Sequence, residues 1–136
     1  MKTKKPSIPI DRARYKDFVK QAEGFESAAK DEKELKRWNA SAVLYVHAAV
    51  AWSDAVTILS GGRKATGLSH LNVAALISET FTKDPTGKKT ALKNLRLILN
   101  QKNAVSYLGE AFSQEDLKEM SKHYEVFSSW CRKQCN

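Results

Sequence analysis

The sequence predicts an all-α protein, an up-and-down bundle of about five helices. Three observations lead there. Apolar residues recur at steps of three and four in stretch after stretch of the 136 residues. Helix-starting residues precede those stretches and glycines follow several of them. No segment alternates apolar and polar residues with the period of two that marks a half-buried strand.

Residues 1–10, MKTKKPSIPI, read as a flexible basic arm, because Pro6 and Pro9 oppose a helix and Lys2, Lys4 and Lys5 favour solvent. The remainder, 11–136, reads as one bundle. A first helix is predicted over about 11–30, capped by Asp11, with Tyr15, Phe18, Ala22, Phe25 and Ala29 as its apolar stripe. The charged run DEKELKR (31–37) is either a turn or an exposed continuation of that helix. The second helix, about 39–60, is nearly all apolar or small and ends at Gly61-Gly62, where glycine supplies a left-handed stop. After the loop GGRKATG, Ser69 caps a short third helix with Leu71, Ala74, Ala75, Ser78 and Phe81 on one face. Asp84-Pro85 opens the fourth, since proline at the first helical position wastes no hydrogen bond. Its stripe is Leu92, Leu95, Ile98, Leu99 and Val105, and it ends near Tyr107 and Gly109. Ser113 opens the last helix, with Glu115 and Asp116 complementing its dipole and Leu117, Met120, Tyr124, Phe127 and Cys131 facing inward.

Composition bounds the function. An apolar fraction of 42% and a charged fraction of 28% are those of a soluble globular protein. The net charge of +8 points to an anionic partner, nucleic acid above all, or else to a basic surface that serves solubility. Cys131 and Cys135 share a helical face on which a disulfide is unfavourable, and no zinc-ligand spacing accompanies them. They read as reduced thiols of a cytoplasmic protein, with Cys131 buried. The N-terminus has lysines with no apolar run behind them and does not read as a signal peptide. The 38–60 stretch is long enough to cross a bilayer, but Asp54 near its centre argues against a membrane span.

Most enzyme classes recognisable by motif are unsupported. TGKKT (86–90) has the Gly-Lys ending of a phosphate loop but lacks its first glycine and a preceding strand. There is no dinucleotide fingerprint, no His-Glu-x-x-His and no nucleophile elbow. No metal site and no cofactor are expected. Three constellations remain. His47 and Asp54 lie seven residues apart, hence on one side of the second helix. Either the histidine caps a carbonyl or packs in the core while the aspartate anchors a loop, or Asp54 orients an imidazole, that of His47 or one from elsewhere. The expected partner of Asp54 is His47, His70 or the backbone of the 61–67 loop. Arg63 and His70 flank the glycine-containing loop. They are either a solvated arginine and a packed histidine, or a pair for metal-free RNA cleavage in which imidazole moves the 2′-hydroxyl proton and guanidinium holds the phosphate. Lys88, Lys89, Lys93 and Arg96 form a basic segment, either a solvated helix face or a phosphate-binding stripe.

The order of these features resembles that of the small stand-alone bacterial HEPN-domain proteins. The likeness rests on His47-Ala48-Ala49 and Ser53-Asp54-Ala55 in a long apolar helix, followed by a Gly-Gly-Arg loop and by Gly67-Leu68-Ser69-His70. It continues in Lys102-Asn103-Ala104-Val105-Ser106-Tyr107 and in Phe127-Ser128-Ser129-Trp130, over about residues 12–132. The resemblance implies an all-α bundle that forms a homodimer. It implies RNA or a nucleotide as ligand, and in many members metal-independent ribonuclease activity within toxin–antitoxin or phage-defence systems, with an antitoxin or nucleotidyltransferase as partner. The family signature, an Arg with four to six residues before a His, maps onto Arg63 and His70 at its upper spacing. Lys64 stands where Asn, Asp or His usually follows the Arg. Tyr107 is an accessory candidate. Other members are non-catalytic binding or scaffold modules, which is the alternative here.

The aromatic surplus, Trp52 in particular, adds to the expectation of a dimer. Light scattering is expected to return twice the chain mass at micromolar concentration; a monomer mass removes that expectation.

Overall fold

The computed structural model describes residues 7–66, 71–80, 84–106 and 108–136. The protein is an all-α bundle with one small two-stranded sheet. Five helices of ten residues or more pack together: α1 (Tyr15–Glu34), α2 (Trp38–Gly61), α3 (Leu71–Thr80), α4 (Pro85–Asn100) and α6 (Gln114–Cys135). A five-residue helix, α5 (Lys102–Ser106), lies between the last two. α2 is central and packs against α1, α3 and α6; α4 closes the arrangement against α3 and α6.

α2 dominates because it has almost no polar side. Fourteen of its 24 residues are buried, including Tyr45, Val46, Trp52, Val56 and Ile58. Its polar atoms are satisfied locally: the hydroxyl of Ser41 donates to the Ala29 carbonyl at 2.7 Å, and that of Ser53 to the Ala49 carbonyl at 2.8 Å. The helix is long and apolar enough to cross a membrane, yet 72% of its apolar window is buried inside the bundle. It ends at Gly62, whose φ of +65° lets its N–H close on the Ile58 carbonyl at 2.8 Å. The sequence placed both ends of this helix within one residue.

Other boundaries move for identifiable reasons. Asp11 does cap, but it caps a 3₁₀ turn, Arg12–Arg14, by accepting from the Ala13 N–H; α1 begins after it. The charged run continues α1 to Glu34, and Lys36 makes the reversal at φ +59°. Asp84 caps α4 by accepting from the Gly87 N–H at 3.0 Å. A Cβ at position 87 would collide with that carboxylate, so the glycine that weakens the helix on propensity is what admits its cap. The predicted fourth helix breaks at Gln101 into α4 and α5. Ser113 and Asp116 form a reciprocal capping box on α6. The expectations for Ser69 and Phe81 fall outside the described residues.

The clear departure is the N-terminal segment. Ser7–Pro9 forms strand β1, which pairs antiparallel with β2, Arg63–Ala65, in the register Ile8 to Lys64. Residues 7–10 are therefore docked on the bundle and are not part of a free arm. The Ile10 N–H donates to the Gly62 carbonyl at 2.9 Å, and Pro9 sits where an edge strand tolerates a missing donor.

A polar chain crosses the bundle. The Trp52 indole N–H donates to the Tyr124 hydroxyl at 3.0 Å, and that hydroxyl donates to Glu26 Oε1 at 2.7 Å. Arg132 donates to the same carboxylate oxygen at 2.6 Å and lies over the Trp52 ring at 4.8 Å. Trp52 is thus covered within a single chain, 1% exposed, and needs no second copy to bury it. Replacing Tyr124 by Phe deletes the link and leaves the indole N–H unpaired. Urea denaturation is expected to show a loss of about 1–3 kcal/mol, against no measurable loss for the change Ser129→Ala at an exposed position.

Candidate functional site

Asp54 is buried on the side of α2 that meets β2. Its carboxylate lies 3.6 Å from the Lys64 ammonium, which also donates to the Ala65 carbonyl at 3.4 Å. Asp54 does not pair with His47. Seven residues return to the same side of a helix but sit about 10 Å further along it, beyond the reach of two short side chains. His47 is exposed at the edge of the α1–α2 contact, where its ring stacks on Phe25 at 5.4 Å between centroids. The partner of Asp54 does come from the loop after α2, as a side-chain cation.

Burial pushes the Asp54 carboxyl up to about 6, and the ion pair with Lys64 offsets only part of that rise. The neutral form therefore favours the folded state. The corresponding stability is fully present below the ordinary carboxylate range, and it is lost as pH rises through about 6.

Arg63 is exposed, and its guanidinium is engaged by β1: Nε donates to the Ser7 hydroxyl at 2.7 Å and Nη2 to the Ser7 carbonyl at 3.0 Å. His70 and Tyr107 lie outside the described residues, so among those described Arg63 has the N-terminal strand as its neighbour and no imidazole. Its observed work is structural: it fastens β1 to β2.

The basic residues of α4 separate into two kinds. Lys88 is half-buried and its ammonium donates to the Ser78 carbonyl at 3.1 Å, which ties α4 to the end of α3. Lys89, Lys93 and Arg96 are exposed, and their four- and three-residue steps place them along one outward line. The opposite side of α4 carries the buried Ala91, Leu92, Leu95, Ile98 and Leu99, so the line is directed away from the core. None of its three cations forms an ion pair among the described residues. Beyond Leu97 the sign changes, because a groove between α4 and α6 is lined by Glu110, Asp116 and Glu119.

Among the described residues no group of three His, Cys, Asp or Glu side chains is placed to hold a metal ion. Cys131 is buried and Cys135 half-buried, both as free thiols; burial raises both, Cys135 to about 11. Neither is disposed to act as a nucleophile near neutral pH. The Glu26–Tyr124–Arg132 chain escapes sequence reasoning. Its one signal is an acidic residue, Glu26, flanking the apolar stripe of α1 between Phe25 and Ala29. Burial alone would raise the Glu26 carboxyl, but hydrogen bonds from Tyr124 and Arg132 outweigh it and hold that carboxyl below its usual range.

These shifts fix a test. Between pH 4 and pH 8 the wild type is expected to lose about 3 kcal/mol relative to Asp54→Asn, from roughly two pKa units at about 1.4 kcal/mol each. Urea denaturation of the two proteins across that range checks it. Parallel pH profiles would mean that the carboxylate is solvated in the folded state.

No family model matches the chain, and no curated protein matches it in sequence.

Proposed function

We propose that the protein binds RNA through the phosphate backbone along α4, as a HEPN-like helical module. The observation that carries this reading is the outward line of Lys89, Lys93 and Arg96, unopposed by any carboxylate on its own helix. The line spans about 10 Å of helix, a length over which one nucleic acid strand passes several phosphates at one per 3.4 Å of axis. The charge distribution supports the same reading. Residues 85–106 contain five cations and no carboxylate, which is most of the net +8. Contacts of this kind position a backbone and read no sequence.

The likeness of the segments around His47, Asp54, Arg63 and Tyr107 to HEPN proteins supports RNA as the polyanion and a homodimer as the working form. The binding role requires no catalysis. A ribonuclease role would require Arg63 to exchange Ser7 for a phosphate, and it would require His70 beside it.

Binding to unstructured RNA is expected at low salt, with log affinity falling about two units per log unit of salt for three contacts. The double change Lys89→Ala and Lys93→Ala is expected to lower affinity at least tenfold for all sequences alike and to flatten the slope by more than one unit. No binding at low salt ends the reading. Cleavage of the same RNA in chelator, abolished by Arg63→Ala, would make the ribonuclease account the better one.

A further inference from the structure

A second cationic feature lies away from α4. Tyr15, Lys16 and Lys20 of α1 and Arg132 of α6 line a cleft of about 260 Å³ that reaches Trp52. Lys16 and Lys20 are exposed and four residues apart, so they project on one side of α1. Arg132 is fixed from two directions, by its 2.6 Å hydrogen bond to Glu26 and by the Trp52 ring beneath it. Its side chain is nevertheless 36% exposed. Among the described residues, Glu26 is the one acceptor its guanidinium engages. A guanidinium has five N–H donors, and the exposed part of this fork is open to a ligand.

Pre-organisation matters here. The entropy of ordering a long arginine side chain has been met in folding, through contacts the bundle makes anyway, and is not charged against binding. The local charge also selects a ligand class. Lys16, Lys20 and Arg132 of the cleft stand against Glu23 and against Glu26, which pairs with Arg132, an excess of one cation. That excess favours an anion, and the oxygens of a phosphomonoester match the arginine fork. A bare phosphate would leave most of the cleft empty, whereas Tyr15 and Val19 offer apolar surface to an organic group.

We propose that this cleft binds a small phosphomonoester, with the phosphate held by Lys16, Lys20 and Arg132 and the organic group against Tyr15 and Val19. The site is separate in residues and in location from the α4 line, and it does not depend on RNA binding.

Calorimetric titration of the full chain at low salt tests it, with adenosine 5′-monophosphate, ribose 5-phosphate, inorganic phosphate and adenosine as probes. At least one of the two esters is expected to bind, at least tenfold more tightly than inorganic phosphate, and adenosine is expected not to bind. Preference between the esters shows whether a base is read. Lys16→Gln and Lys20→Gln, both at exposed positions, are each expected to weaken the ester at least fivefold without changing the thermal midpoint. The pair Lys89→Ala and Lys93→Ala is expected to leave ester affinity unchanged, which separates this site from the α4 line. Absence of binding by both esters overturns the proposal. So does inorganic phosphate or adenosine binding as tightly as an ester, or an ester affinity that survives loss of both Lys16 and Lys20.

Discussion

The near-complete burial of α2 is the constraint on which the rest of the structure depends. A helix with one apolar stripe needs one neighbour; a helix apolar on most sides must be surrounded. α1, α3 and α6 each pack against it, and α4 fills the space left between α3 and α6. The few polar groups that α2 carries inward must then find partners inside the protein. Ser41 and Ser53 find carbonyls one turn or one helix away, and the Trp52 indole finds the Tyr124 hydroxyl. Asp54 alone needs a cation, and Lys64 on β2 supplies it. The small sheet follows from that position: β2 lies against α2, and β1 is added to it by backbone pairing and by the grip of Arg63 on Ser7.

Two carboxylates, Asp54 buried and Glu26 half-buried, meet opposite outcomes for reasons visible in their partners. Glu26 receives hydrogen bonds from a tyrosine and an arginine, with a lysine nearby, and ionisation is favoured despite burial. Asp54 has one ammonium at 3.6 Å, and desolvation outweighs it. As pH falls, Glu26 therefore costs the fold stability while Asp54 returns some. The Glu26 chain joins α1 to α6 across α2, and it also sets the orientation of Arg132. The same contacts that close the core thus present a rigid guanidinium at its edge.

The helices were legible in the sequence because each carries its own period and its own punctuation. For α2 the apolar run and the Gly61-Gly62 stop define both ends without reference to anything else. The strands were not legible. Three residues are too few to show a period, and Ser7–Pro9 has meaning only through a partner 56 residues away. The outward line of Lys89, Lys93 and Arg96 was legible because helical spacing alone generates it; for Lys88, the fourth cation of the segment, only the position of Ser78 shows that its ammonium turns to α3. Of the partners expected for Asp54, His47 followed from angular position, which a heptad preserves, and is out of reach along the axis, which a heptad does not preserve. The loop after α2 was the sound choice, and Lys64 on it holds the carboxylate. The Glu26 chain joins residues about a hundred positions apart and leaves no local pattern.

The placement of charge bears on whether the basic character is a solubility device. A protein that is basic for solubility spreads its excess over the surface. Here the excess is local. Residues 6–84 and 107–136 together carry as many acidic as basic side chains, and the whole +8 comes from residues 1–5 and 85–106. Within 85–106 the core takes one side of α4, Lys88 is drawn to α3, and Lys89, Lys93 and Arg96 remain on the outer side with no compensating carboxylate. Like charges so placed repel one another and destabilise the helix that bears them by a few tenths of a kcal/mol per pair. An approaching polyanion relieves that repulsion and releases counterions of its own. The cleft beside Arg132 lies within the segments that balance overall, so its cationic excess is a matter of packing, created where α1 and α6 bring Lys16, Lys20 and Arg132 together. One cationic surface is thus written along a single helix and the other is assembled by the fold.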